Sequence, residues 1–246
     1  MQKRIDQWLS QLGYCSRQEA RSFLKKHEVF FKQNRLKDPS EKVSSEITID
    51  GSALDHPFGL VLLMHKPPGY VCSQAENEGP RVFDLLPARW QKRQLALQTV
   101  GRLDKDTTGT LLLTDQGHWL HQWSHPKVHF KKTYFVHYEG VLSEEAEELW
   151  QNGQWILPGE KEPCLKASLT RLDKGVARLI LQEGRYHQVK RMFAALGAKV
   201  IKLHRENFGP WSADHLQEGQ WEILDLQAIE NIVLKYKDFL KEELKF

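Results

Sequence analysis

Gly101-Arg102-Leu103-Asp104-Lys105-Asp106-Thr107-Thr108-Gly109 is compact, polar and carries two carboxylates, and apolar sequence lies on both sides of it. Thr110-Leu111-Leu112-Leu113-Thr114 follows at once and reads as a buried strand. Leu95 to Val100 precedes it and also reads as a strand. The unit is therefore a charged loop held between two sheet strands. Charge beside a core costs free energy unless it is paired or used. The plain alternative is a surface turn in which Asp and Gly serve only the backbone.

Moving upstream, Leu60 to Met64 predicts a strand, and His65-Lys66-Pro67-Pro68-Gly69 turns out of it. Residues 74–81 are polar and read as a mobile loop, and Phe83 to Leu86 reads as a short helix ended by Pro87. Ser52 to Pro57 reads as a linker. Before it, Ile5, Trp8, Leu9 and Leu12 recur at helical spacing over 3–12 and Gly13 stops them. Ser16-Arg17-Gln18-Glu19 is a capping box that opens a second helix running to Lys26, with Ala20, Phe23 and Leu24 inward. Arg17, Arg21 and Lys25 then share its outer face. Val29 to Phe31 and Glu46 to Asp50 are short strands.

Moving downstream, His118, His121, His125 and His129 recur every three or four residues. Metal ligation is a poor fit, because Pro126 breaks the helix and no Cys or Glu completes a set. Lys132 to Tyr138 alternates as a strand. Residues 143–152 form an acidic helix with Leu149 and Trp150 inward. Ala177 to Leu181 is a strand, a helix ends at Gly197, and Val200 to Arg205 is another strand. Gly219 to Leu224 and a helix from Leu226 to about Leu240, with Ile229, Ile232, Val233, Tyr236 and Leu240 on its apolar face, close the chain. The mixture predicts an α+β fold: a small helix-pair and strand module over 1–58, then a mixed, largely antiparallel sheet with flanking helices over 59–246.

Three stretches carry a family resemblance. Gly-Arg-Leu-Asp-x-x-Thr-x-Gly resembles the active-site loop of the pseudouridine synthases. Lys132-Thr133-Tyr134 resembles their Lys-x-Tyr motif, and Glu183-Gly184-Arg185-Tyr186-His187-Gln188-Val189-Lys190-Arg191-Met192 resembles their third motif. Lys66-Pro67-Pro68-Gly69-Tyr70-Val71-Cys72-Ser73 is similar to a motif of the branch that acts on small-subunit rRNA. Residues 1–56 resemble the RNA-binding module named after ribosomal protein S-four. The resemblance implies isomerisation of a uridine in 16S rRNA to pseudouridine, without metal or cofactor. It implies a catalytic Asp104, an active-site Tyr134, and Lys190 as the partner of Asp104. It also implies RNA contacts from Arg102, Lys66, Arg185, His187, Gln188, Arg191 and Leu203, in addition to the helix-borne Arg17, Arg21 and Lys25.

Composition agrees with such a partner. Of 246 residues, 40% are hydrophobic and 27% charged, which describes a globular chain. The net charge of +3 is uneven: residues 1–42 hold ten Lys/Arg and five Asp/Glu, leaving −2 for the rest. A basic end on a near-neutral body suits an anion-binding module. Cys15, Cys72 and Cys164 are odd in number and widely spaced, which points to a reducing cytoplasmic setting. No signal peptide, membrane span, nucleotide loop or zinc-protease motif is present. A monomer is expected. Two other readings stand: a metal-dependent transferase or nuclease built on Asp104-Lys105-Asp106, and an assembly factor that kept the fold without catalysis. Within the family, 23S rRNA is the alternative substrate.

Overall fold

The computed structural model describes residues 2–124 and 130–243. It is α+β. Helices Ile5–Gln11 and Ala20–Lys26 pack with a four-stranded sheet in the spatial order Asn34–Arg35, Val29–Phe31, Ile47–Ile49, Ser52–Ala53. Ile5, Trp8, Leu9, Ala20, Leu24, Val29 and Ile47 form their shared core.

Local differences from expectation have physical causes. Lys3–Arg4 is not helical but pairs with Lys42–Val43, a tertiary contact reinforced by a 3.1 Å hydrogen bond from Trp8 Nε1 to the Val43 carbonyl. The Ser16–Glu19 capping pair forms, with Ser16 N–H donating to the Glu19 carboxylate at 2.9 Å, yet regular helix begins only at Ala20. Ser52–Ala53 is not linker but a strand folded back on Thr48 and Ile49 through Asp50-Gly51, both at positive φ. Asp-Gly is a short-range hairpin signal, so this strand was readable.

The larger sheet runs, in spatial order, Ser168–Asp173, Val176–Leu181, Lys132–Gly140, Ala198–Phe208, Thr108–Thr114, Val61–Lys66, Trp221–Ile223. The contact between Ala198–Phe208 and Thr108–Thr114 is parallel, and the other neighbours on this path are antiparallel. Its central strands are buried on both faces. Leu62, Met64, Leu111 and Leu113 face one core with Phe83, Met192 and Phe193. Val61, Leu63 and Leu112 face another with Trp119, Trp123, Ile229 and Val233. Two-sided burial explains the unbroken apolar runs in these strands.

Of the expected Leu95–Val100 strand, Gln98–Thr99 pairs with Thr114 and Leu113, and Val100 N–H donates to the Leu112 carbonyl at 2.8 Å. The preceding residues are held elsewhere: Gln94 N–H donates to the Gln11 carbonyl at 3.1 Å, and Leu95 is left exposed. Residues 76–78 of the expected mobile loop form a short 3-10 turn, as do Val82–Leu85. The acidic helix is shorter than expected, Ala146–Gln151, with Trp150 buried. In the last helix, Leu226–Glu243, Ile229 and Val233 are buried while Ile232 is about one-third exposed at the edge of the stripe. His118 and His121 lie in helix Gly117–Ser124, and His125 and His129 fall outside the described residues. No described helix is long and apolar enough to cross a membrane.

The N-terminal module meets the larger domain at the segment 89–94, where Arg89 lies over the Tyr14 ring and Gln94 bonds to Gln11. Arg93 donates to the carbonyls of Asp55 and His56 at 3.1 and 3.0 Å and pairs with buried Asp115 at 2.9 Å. Asp55 in turn pairs with Arg89 at 2.6 Å and accepts from Trp90 Nε1.

Candidate active site

The Asp104 loop leads into the centre of the large sheet. Strand Thr108–Thr114 is flanked by Val61–Lys66 and Ala198–Phe208, so the loop hangs from a rigid element. Gly109 sits at φ 106° where a Cβ would lie 2.3 Å from the Arg205 carbonyl oxygen, so only glycine lets the two strands meet. Within the loop, Thr107 N–H donates to the Asp104 carbonyl at 3.1 Å, and Gly69 N–H donates to the Lys105 carbonyl at 2.7 Å.

Lys66 is fully buried beneath this loop. Its ammonium donates to the carbonyls of Pro67, Lys105 and Thr107 at 3.0, 3.3 and 2.8 Å. Burial lowers it from 10.5 to about 8, against the opposing pull of Cys72, Asp106 and Asp104. Lys66 was expected to touch RNA. Its place in the structure is under the loop, fastening backbone that would otherwise carry unmatched acceptors.

Asp104 opens into a cleft of about 600 Å³ lined by Arg102, Leu103, Tyr134, Leu181, His187, Lys190 and Leu203, among others. That volume suits a small ligand or one nucleotide base. Lys190 Nζ lies 3.2 Å from Asp104 Oδ2, and His187 Nε2 lies 3.4 Å from Asp104 Oδ1. Lys190 is closer still to Asp106, at 2.6 and 2.9 Å. The expected Lys190–Asp104 pair is thus one arm of a cation shared by two carboxylates. Burial alone would lower Lys190, but bonding to Asp106 and Asp104 outweighs it and the net direction is up. Burial would raise Asp106, and Lys190 turns it downward. His187, at φ 47°, leads into helix Gln188–Ala195, which carries Lys190.

Tyr134 and Leu203 are nearly buried and line the cleft floor. Arg102 is exposed, with no carboxylate partner among the described residues. The other third-motif residues are engaged within the chain. Arg185 pairs with Glu183 at 3.1 Å and donates to the carbonyls of Glu162 and Pro163. Gln188 is buried and donates to Glu183 at 2.7 Å. Arg191 pairs with Glu160 at 2.9 Å and donates to the Pro158 carbonyl at 2.7 Å. Arg185, Gln188 and Arg191 therefore brace the segment that presents His187 and Lys190. On the N-terminal module Arg17, Arg21 and Lys25 are exposed; Arg17 precedes helix Ala20–Lys26 rather than sharing its face with the other two, and lies 3.5 Å from Asp6.

Several residues of the cleft were given no role from the sequence, among them Lys132 and the exposed Tyr186, which entered only as motif letters, and Arg205; the Tyr186 ring stacks on His187 at 3.9 Å. Strand alternation was the available signal for Lys132 and Arg205. Lys132 is two residues from Tyr134, and Arg205 is two from Leu203, so each pair shares a sheet face. Among the described residues no group of three or more His, Cys, Asp or Glu converges as a metal site.

Comparison with known proteins adds an independent line. Residues 60–195 match the model of a family described as RNA pseudouridylate synthase. The chain is 38% identical over 230 residues to "Ribosomal small subunit pseudouridine synthase A" of Pasteurella multocida, covering 92% of this chain and 97% of that one. It is 35% identical over 236 residues to the Escherichia coli K12 protein of the same name, covering 94% and 100%. A solved structure described as "Crystal structure of pseudouridylate synthase" shares 35% identity at a TM-score of 0.63, covering 93% of this chain and 99% of that one.

Proposed function

This chain belongs to the RNA pseudouridylate synthase family, and from that premise we propose that it isomerises a uridine of small-subunit rRNA with Asp104 as its catalytic group. The observation that carries the reading is the Asp104 carboxylate at the mouth of a base-sized cleft, held between Lys190 and His187 over the Tyr134 and Leu203 floor. The names of the relatives, matched over nearly their whole length, supply the substrate class.

The reaction breaks the N1–C1′ bond of uridine, turns the uracil, and joins C5 to C1′. A proton leaves C5 and N1 gains one, so the change is redox-neutral. A target inside folded RNA must be flipped out to be reached. Arg102, exposed beside Asp104, fills the vacated stack or meets a phosphate. Tyr134 stacks on the base and Leu203 packs beside it. The Asp104 carboxylate acts at the sugar–base bond as nucleophile or as stabiliser of developing positive charge. Lys190 and His187 fix its direction. The exposed Arg17, Arg21 and Lys25 hold phosphates at a distance, supplying affinity and orientation.

The test is a map of pseudouridine in total rRNA from cells with and without this protein. One site in 16S rRNA should vanish with it. Loss of a 23S rRNA or tRNA site with 16S rRNA unchanged contradicts the substrate assignment, and an unchanged map contradicts the activity.

A further inference from the structure

The inner end of the cleft holds two cations that the reading above leaves unused. Tyr134 and Arg205 are direct partners across neighbouring strands, as are Val136 and Leu203, so Lys132, Tyr134, Leu203 and Arg205 form one patch on the cleft side of the sheet. Arg205 is 2% exposed. Its Nε donates to the Thr110 carbonyl at 2.7 Å, but its Nη2 is buried without an acceptor among the described residues. Lys132 Nζ donates to the Phe130 carbonyl at 3.0 Å and has hydrogens to spare. Both cations lie against the Phe208 ring, at 5.3 and 5.5 Å from its centroid. The indole N–H of Trp123, on the same cleft wall, is also buried without a described acceptor.

These are donors gathered with no carboxylate in ion-pair contact among the described residues. Burial lowers Lys132 to about 8, Arg205 adds to the fall, and Glu183 opposes it only through space. A buried cation without an anion is costly. A site that carries such a cost without relieving it internally suits a ligand that brings negative charge. The surroundings choose among anions: Tyr134, Leu181, Leu203, Trp123 and Phe208 enclose this end with flat apolar surface, which fits a heteroaromatic ring carrying a carbonyl oxygen better than a hydrated phosphate.

We propose that Arg205 and Lys132 bind a carbonyl oxygen of the flipped uracil and hold its negative charge while the base is detached from the sugar. This rests on the synthase reading above. When N1–C1′ breaks, the bonding pair stays with the base and spreads from N1 onto the carbonyl oxygens. It is returned when C5 bonds to C1′, after which C5 loses its proton and N1 takes one up. Donors fixed in advance where charge develops are effective because they need no reorganisation.

Lys132→Met is the variant of choice, since Lys132 spares one hydrogen bond while Arg205 also ties two strands together. Single-turnover conversion is followed at saturating enzyme by disappearance of the target nucleoside from nuclease digests, using RNA with uridine or 5-fluorouridine at the target; the latter has no C5 proton to lose and stops at the C5-linked base, which the same readout registers. The expected result is at least ~10-fold slower conversion of uridine, unchanged RNA affinity, and a smaller loss on 5-fluorouridine, whose more acidic base carries the charge with less help. Lys132→Arg should recover most of the rate, which a loss of packing alone would not permit. An unchanged rate, or equal losses on both bases, overturns the proposal. So does a loss confined to affinity with a salt slope reduced by about one contact, which would assign the pair to a phosphate. A wild-type protein that converts neither RNA overturns the synthase reading itself.

Discussion

Lys190 stands between two carboxylates, and its geometry separates their roles. It makes its shorter contacts with Asp106, whose side chain is 72% exposed, and a longer one with the more enclosed Asp104. Exposed pairs contribute little because water screens them, so the short contact is the dispensable one. Asp106→Asn should keep activity within about threefold of wild type, because Lys190 then turns wholly to Asp104. Lys190→Met should cost at least ~10-fold in kcat, with RNA affinity lowered by no more than one phosphate contact. Steady-state turnover with binding measured in parallel checks both. An Asp106→Asn variant as impaired as Lys190→Met would show that the two form one unit. At this scale the sequence named Asp104, Lys190 and Tyr134 because they sit in contiguous motifs. It was silent on the three-way sharing, which joins residues 84 apart in the chain.

At the scale of elements, the Asp104 loop is held by a buried lysine reaching across from the neighbouring strand. Removing Lys66 strands the carbonyls of Pro67, Lys105 and Thr107. Lys66→Met should therefore cost about 1–3 kcal/mol of stability and lower kcat with little change in RNA affinity. The pH dependence has a definite sign. The folded-state value near 8 lies below the ordinary 10.5, so between these values the unfolded chain binds more protons and Lys66 contributes a rise in stability with pH. Denaturant unfolding of wild type and Lys66→Met across that window should show a smaller rise in the variant, and equal slopes would contradict the assignment. Element types were readable where burial was strong: the Leu60–Met64 and Thr110–Thr114 runs are strands because both faces are covered. Readability failed where tertiary partners decide. Lys3–Arg4 leaves the helix to pair with Lys42–Val43, and Leu95 lies outside its strand because Gln94 is bonded to Gln11. The motif Glu183 to Met192 gave no sign that Arg191 pairs with Glu160, which lies outside it, or that Arg185 turns back onto Glu183 and the Glu162 and Pro163 carbonyls.

For the whole molecule, a basic N-terminal module is joined to the domain that carries the cleft through Asp55, Arg89 and Arg93. Neutralising Arg17, Arg21 and Lys25 together should reduce the salt dependence of RNA binding by about two contacts rather than three, since Arg17 already faces Asp6. Filter binding over a range of salt measures it, and an unchanged slope would place this face away from RNA. Such a change should leave turnover at saturating RNA alone, because those side chains lie on a different module from the chemistry. The chemistry itself is assigned to one carboxylate. The most direct measurement is tritium release from C5 of labelled uridine in the rRNA substrate by Asp104→Asn, with RNA binding measured on the same preparation. Asn keeps the shape and removes the charge, so binding and fold should persist while the rate falls by at least ~10³. Turnover at the wild-type rate would contradict the assignment of Asp104.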